Sequence, residues 1–243
     1  MNRIALMVLR NILKVPAAYS KLCRYAKNPE QYTESEKYAH IQYMLREGIK
    51  AGNVEVEVHG KENIPEENGF LLVSNHQGMF DVLAIVANCD APMGGVYKIE
   101  LDNKGKGIPL IKEIIRCTNS FGMDRSDVRQ SLTVIQNVTE ELKKGRNYLI
   151  FPEGTRSKNG NIMGEFHGGS FRCATKSQCP VIPAALIDCY KVLDEKGSKP
   201  VTIQLHYLKP IPYEEYKDLK PAELAALVKE RIEAKIRECT QGG

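Results

Sequence analysis

The sequence predicts an α/β fold: a mostly parallel, mixed sheet flanked by helices and preceded by an N-terminal amphipathic helical hairpin. Three observations carry this reading. Short alternating or continuously apolar runs recur from residue 53 to 208, as strands do. Segments with apolar residues at helical spacing lie between them. Before residue 53 only the helical period is found. Strands alternating with helices imply βαβ units and hence parallel neighbours. The division falls after Gly52, with residues 1–52 as a helical segment and 53–243 as the α/β domain. A length of 243 residues suits one such domain with a substantial core.

The first helical segment covers residues 1–29. At about 100° per residue, Arg3, Arg10, Lys14 and Lys21 fall within roughly 40° of one another. Ile4, Val8, Ile12, Val15 and Leu22 fall on the other side. Pro16 interrupts the run, so a kink or two short helices is expected rather than one rod. A second helix follows. Thr33 and Glu36 form a capping box, Tyr38, Ile41, Leu45 and Ile49 repeat at helical spacing, and Gly52 ends it.

From residue 53 the period changes. Residues 54–58 alternate like a strand with one solvated face, and 70–73 read as a buried strand. A helix begins near Asp81. Further strands are expected at 95–98, 120–123, 147–151, 181–186 and 201–208. Between them, Val128, Leu132, Ile135, Val138 and Leu142 line one face of a helix over 126–144, which Gly145 stops. Pro221 opens a last helix with Leu224, Leu227, Val228, Ile232 and Ile236 inward.

Charge is placed unevenly. Residues 1–29 hold six basic residues and no acid, so this segment carries +6 of a net +4 and leaves about −2 for the rest. Such asymmetry points to an anionic surface, nucleic acid or membrane. The segment's apolar face suits lipid better, and no recognised nucleic-acid motif is present. The expectation is therefore a peripheral protein docked on an anionic membrane surface by residues 1–52. A surface helix packing its apolar side on the domain is the plainer alternative. No run approaches the roughly 18–20 apolar residues that span a bilayer, and no signal-peptide or lipidation pattern is seen. The seven cysteines are scattered and odd in number, which fits a reducing cytosolic setting better than a disulfide framework. The five histidines show no metal-binding spacing, so no metal is expected.

Two motifs follow predicted strands, where a parallel sheet places its ligands. The first is Ser74-Asn75-His76-Gln77-Gly78-Met79-Phe80-Asp81. On one helix, His76 and Asp81 would stand about 140° apart. They meet only if His76 lies in the turn before the helix and Asp81 near its first turn. Asp81 then holds the imidazole in one tautomer and leaves the other nitrogen free as a base. Taken alone, a loop histidine and a helix-capping aspartate fit equally. The second motif is Phe151-Pro152-Glu153-Gly154-Thr155-Arg156-Ser157. Gly154 lets backbone N–H groups approach a ligand, and Arg156 is suited to bidentate phosphate binding. A polar turn with a surface arginine is the plainer reading.

The pair of motifs, about 70 residues apart, resembles the 1-acylglycerol-3-phosphate O-acyltransferase (lysophosphatidic acid acyltransferase) family. Tyr97-Lys98-Ile99-Glu100-Leu101 with Ile108-Pro109-Leu110, Phe121-Gly122-Met123-Asp124-Arg125 and Val181-Ile182-Pro183-Ala184 look like further family blocks, in family order across residues 70–186. The resemblance implies that His76 is the general base and Asp81 its orienting partner. It implies that Glu153, Gly154, Thr155 and Arg156 hold the acyl acceptor, and that Lys98 and Arg125 face its phosphate. The implied reaction moves a fatty acyl group from acyl-CoA or acyl-acyl-carrier protein to the free hydroxyl of 1-acylglycerol 3-phosphate, making phosphatidic acid, at the cytoplasmic face of a membrane, with no cofactor. Two departures concern acceptor details: Gly78 stands where the family often has Ser, and residues 121–123 where it has bulky aliphatics. Glycerol 3-phosphate or another lysophospholipid is the alternative acceptor, and a non-catalytic anionic-lipid-binding protein the non-enzyme alternative. Gly168-Gly169-Ser170-Phe171-Arg172 lacks the last glycine of a nucleophile elbow, which argues against a serine hydrolase.

Overall fold

A computed structural model describes residues 2–101 and 109–241; Ile108, first of the Ile108-Pro109-Leu110 block, lies outside them. Seven strands form one sheet: β1 (Val54–His59), β2 (Leu71–Ser74), β3 (Met93–Lys98), β4 (Phe121–Met123), β5 (Asn147–Ile150), β6 (Val181–Ile187) and β7 (Val201–Tyr207). Their spatial order is β1-β7-β6-β2-β5-β3-β4. All neighbours are parallel except β6 and β7. The mixed, mostly parallel sheet expected from the alternation of periods is therefore present.

Alternation along the central strands divides the core into two faces. Leu72, Leu149, Ile182, Ala184 and Leu186 point into one cluster. Leu71, Val73, Tyr148, Ile150, Val181, Ala185 and Ile187 point into the other. The second face is covered by α6 (Val128–Lys143), α7 (Arg172–Ser177) and α10 (Pro221–Gln241), through residues such as Val138, Leu142, Cys173, Val228 and Ile232. The first is covered by α3 (Glu34–Ala51) and α4 (Asp81–Asn88). Both faces are closed, as the apolar character of these strands requires. Two short helices, α8 (Tyr190–Leu193) and α9 (Tyr213–Tyr216), and α5 (Pro109–Cys117) complete the described elements. The sequence reading passed over all three and over α7. The helices α7, α8 and α9 have only four to six residues, too few for apolar spacing to stand out.

The N-terminal segment divides at residues 11–14 into α1 (Arg3–Arg10) and α2 (Val15–Lys27), with Pro16 in the first turn of α2. Leu22 and Tyr25 of α2 and Tyr38, Ile41 and Ile49 of α3 pack in the same cluster as the first sheet face. Burial of a side chain such as Leu22 or Ile41 stabilises the fold by roughly 1.5–3 kcal/mol.

The structure shows which side of this segment meets the protein. Three of the four residues of the basic face, Arg3, Arg10 and Lys14, engage the protein. Arg3 is buried and donates from Nε to the Val192 carbonyl and from Nη1 to the Gly52 carbonyl, each at 2.7 Å. Arg10 donates to the Ala51 carbonyl at 3.0 Å and to Asn53 Oδ1 at 2.6 Å. Lys14 pairs with Glu47. The cause is local: the last turn of α3 presents carbonyls without intrahelical partners and the negative end of its dipole, and cations satisfy both. Part of the apolar side is left outward, although Leu6 and Leu22 are buried. Ile4, Val8, Leu9, Ile12, Leu13 and Val15 are all exposed, Leu13 to 93%. Among the described residues, no helix is long and apolar enough to cross a membrane.

Candidate active site

β2 and β5 are parallel neighbours, with Leu71–Val73 registered against Tyr148–Ile150. Whatever follows each strand therefore emerges at the same edge of the sheet. The His76 turn follows β2, and the 151–157 loop follows β5. The two motifs are brought together by register alone.

His76 lies in the turn and Asp81 opens α4. Nδ1 of His76 is 2.7 Å from Asp81 Oδ2. A carboxylate only accepts, so the proton sits on Nδ1 and Nε2 carries the free lone pair. Oδ2 also accepts the N–H groups of Gln77 at 2.6 Å and Gly78 at 2.9 Å. Asp81 is fully buried, at a helix N-terminus that favours its negative charge. The imidazole is 18% exposed and stacks on Phe151 with ring centroids 4.4 Å apart. Among the described residues Nε2 has no hydrogen-bond partner in the protein, so it faces outward from the pair as an available base.

The 151–157 loop fixes the backbone of His76 from both sides. His76 N–H donates to Glu153 Oε1 at 2.7 Å, and Ser157 N–H donates to the His76 carbonyl at 2.9 Å. Glu153 Oε2 accepts the Gly164 N–H at 2.8 Å. Glu153 is buried. Burial pushes its carboxyl above the ordinary carboxylate range, against the pull of those two donors. The resemblance had placed Glu153 on the acceptor. In the structure both oxygens are engaged by backbone N–H groups, so this side chain positions His76. Glu153→Ala leaves two N–H groups without acceptors and is expected to cost about 1–3 kcal/mol for each that stays buried. Urea unfolding with an unchanged m-value checks this.

The residues on either side of His76 are braces. Asn75 exchanges two hydrogen bonds with the backbone of Leu186, at 2.9 and 2.8 Å. Gln77 donates to Asn161 at 2.7 Å and accepts the Cys189 N–H at 2.8 Å. Asn161 in turn donates to Asp188 at 2.9 Å. Gly78, one of the two departures, has a local explanation. A Cβ there would stand 2.9 Å from Asp194 Oδ2 and 3.3 Å from Tyr190 Cα, because α8 and Asp194 occupy that space.

Of the predicted cations, Arg156 pairs with Asp194 at 3.5 Å. Lys98, exposed at the end of β3, pairs with Glu100 at 3.1 Å. Thr155 is exposed. Gly154 adopts a left-handed conformation, with φ +69°. The point where its Cβ would stand is 3.9 Å from Arg125 Nε and 3.4 Å from Cδ2 of His167. Arg125 thus stands beside Gly154 of the loop that holds His76, whereas Arg156 and Lys98 are engaged by Asp194 and Glu100. Asn75, Gln77, Phe151, Asp194 and His167 were not singled out from sequence. The polar pair flanking His76 at the end of an apolar strand was the one visible signal among them.

Fold and site together define an α/β protein with a histidine–aspartate pair poised for proton transfer at the carboxyl edge of its sheet. A profile described as Acyltransferase matches residues 55–187, more than half of the chain, and the chain belongs to that family. Among similar proteins are a chloroplastic 1-acyl-sn-glycerol-3-phosphate acyltransferase of Brassica napus, 31% identical over 56% of this chain and 38% of that one. Another is the alpha 1-acyl-sn-glycerol-3-phosphate acyltransferase of Bos taurus, 26% identical over 77% of this chain and 61% of that one. The chain therefore spans less than two thirds of the length of these relatives. The crystal structure of the 1-acyl-sn-glycerophosphate acyltransferase PlsC of Thermotoga maritima shares the fold, with a TM-score of 0.74, 24% identity, and coverage of 96% of this chain and 97% of that one.

Proposed function

We propose that this protein transfers a fatty acyl group from an acyl thioester to the free hydroxyl of 1-acylglycerol 3-phosphate, forming phosphatidic acid. The observation that carries the reading is the His76 Nδ1 to Asp81 Oδ2 contact of 2.7 Å, which leaves Nε2 open. The acceptors named for the relatives support the substrate.

The steps follow from the arrangement. Nε2 takes the proton of the acceptor hydroxyl as that oxygen attacks the thioester carbonyl. Asp81 stabilises the imidazolium that forms. The tetrahedral oxyanion needs N–H donors, and its collapse expels the thiolate, which takes the proton back from His76. No enzyme nucleophile enters the reaction, and no cofactor is required beyond acyl-CoA or acyl-acyl-carrier protein as co-substrate. The test is purified protein with both donors and 1-acylglycerol 3-phosphate, following free thiol and lipid product. Absence of thiol release with either donor defeats the reading.

A phosphate-bearing acceptor asks for cations beside the base, and Arg125 and Arg156 meet that demand. Arg156→Ala is expected to lower kcat/KM for 1-acylglycerol 3-phosphate by on the order of tenfold to a hundredfold, and far less for 1-acylglycerol. Arg156→Lys should recover little, because an ammonium does not reproduce the guanidinium fork. Equal losses on both acceptors would show that Arg156 does not read phosphate.

The reading includes a lipid surface as partner, at its cytoplasmic face. The outward apolar row of α1 and the following turn supports the contact. Exposed Lys21, Arg24 and Lys27 lie just beyond it and suit anionic headgroups. The scattered, odd-numbered cysteines suit a reducing compartment.

A further inference from the structure

The cations near the loop are not equivalent. Arg156 and Lys98 already have carboxylate partners. Arg125 has no ion pair within 4 Å among the described residues; Glu100 acts on it only at longer range and is engaged by Lys98. A second group stands in the same condition. The His167 ring makes no hydrogen bond among the described residues and is exposed.

The backbone explains why these two meet. The chain leaves the sheet edge at Pro152, runs through the loop, and returns, where His167 N–H donates to the Pro152 carbonyl at 2.9 Å. The return places the imidazole over Gly154. Arg125 arrives two residues beyond the end of β4. Both side chains converge on the space that Gly154 leaves by lacking a Cβ, with His167 Nε2 at 3.7 Å and Arg125 Nε at 3.9 Å from that point. Any other residue at 154 would fill this space, and its φ of +69° would strain one as well. Next in the chain is Glu153, whose carboxylate holds the backbone of His76.

From this convergence we propose that His167 and Arg125 form an anion seat above Gly154 that takes the phosphate of the acyl acceptor, with His167 as a phosphate-binding residue. The proposal rests on the phosphate-bearing acceptor put forward above. The guanidinium supplies a fixed positive charge and a planar set of donors. The imidazole adds an N–H donor in either protonation state and a second positive charge when protonated. The seat is beside the base yet separate from it, so a phosphate held there leaves the neighbouring hydroxyl free to approach Nε2.

The test uses the full chain with 1-acylglycerol 3-phosphate and, in parallel, 1-acylglycerol. Inorganic phosphate is added as a competitive probe. His167→Ala is expected to raise KM for the phosphate-bearing acceptor by on the order of tenfold, with a much smaller change in kcat, and to weaken inhibition by phosphate similarly. His167→Lys, which keeps a cationic donor, should recover most of the loss. If the parent enzyme prefers the phosphate-bearing acceptor and His167→Ala leaves that KM and the phosphate inhibition unchanged, the seat is overturned and the function stands. If the parent shows no preference between the acceptors, the phosphate-bearing substrate is itself wrong, and the seat falls with it. A loss in His167→Ala that is equal on both acceptors also overturns the seat.

Discussion

His76→Ala is expected to lower kcat by about 10²–10⁴-fold, the usual contribution of a general base, while the protein stays folded. The fold survives because the interactions that anchor residue 76 belong to its backbone: its N–H reaches Glu153 and its carbonyl accepts from Ser157. The ring is not fully buried and its Nε2 holds nothing in place. Asp81→Asn is expected to be comparably severe for a different reason. Asp81 Oδ2 accepts from His76 Nδ1 and from two backbone N–H groups. An amide has one acceptor oxygen and one donor nitrogen. All three donors meet Oδ2, so an amide oxygen placed there keeps these bonds but carries no negative charge, and the imidazolium formed when Nε2 takes the proton loses its stabilising partner. Rates of thiol release, with circular dichroism as the folding control, check both variants. Turnover of His76→Ala within a few-fold of the parent would remove His76 from the mechanism.

The pairing of His76 with Asp81 was legible because it depends on two local facts, a strand ending at Val73–Ser74 and a helix beginning at Asp81. The meeting of both motifs was legible too, since parallel strands deliver their following loops to one edge. What spacing does not encode is which side chains those loops use on each other. Glu153 carries the chemistry of a ligand-binding carboxylate, yet its oxygens are taken by the N–H groups of His76 and Gly164. Its role follows from the return path of residues 157–167, an irregular stretch with no period to read. His167 was invisible for the same reason. The inward face of α1 was not legible, on another ground. The wheel separated its basic and apolar faces correctly, but which face turns inward depends on what the protein offers in return. The carbonyls of Ala51 and Gly52 at the end of α3, and Val192 across the first face, bind Arg10 and Arg3. Those acceptors exist only once the chain has folded.

The inward docking of these basic residues decides how the protein should behave at a lipid surface. With Arg3, Arg10 and Lys14 engaged by the protein, attraction to headgroups falls to residues such as Lys21, Arg24 and Lys27, while Leu9, Ile12 and Leu13 offer their side chains to the bilayer at 57%, 57% and 93% exposure. Burying the exposed parts of these three contributes about 3 kcal/mol, or roughly two decades in partitioning. Changing Leu9, Ile12 and Leu13 together to Gln is therefore expected to release the protein from vesicles at every ionic strength. Thermal stability in detergent should move little, because none of the three is buried in the fold. The parent should stay bound as salt rises, since apolar insertion is not screened. Arg3→Gln should do the opposite. It withdraws the guanidinium that serves the Val192 and Gly52 carbonyls, costs about 1–3 kcal/mol for each acceptor left buried without a donor, and lowers the melting temperature by several degrees in a chain of this length. Vesicle co-sedimentation across a salt series, beside a melting curve, separates the two. If the triple variant sediments like the parent while Arg3→Gln releases the protein without lowering its melting point, the basic face is the membrane face after all, and the inward docking of α1 is wrong.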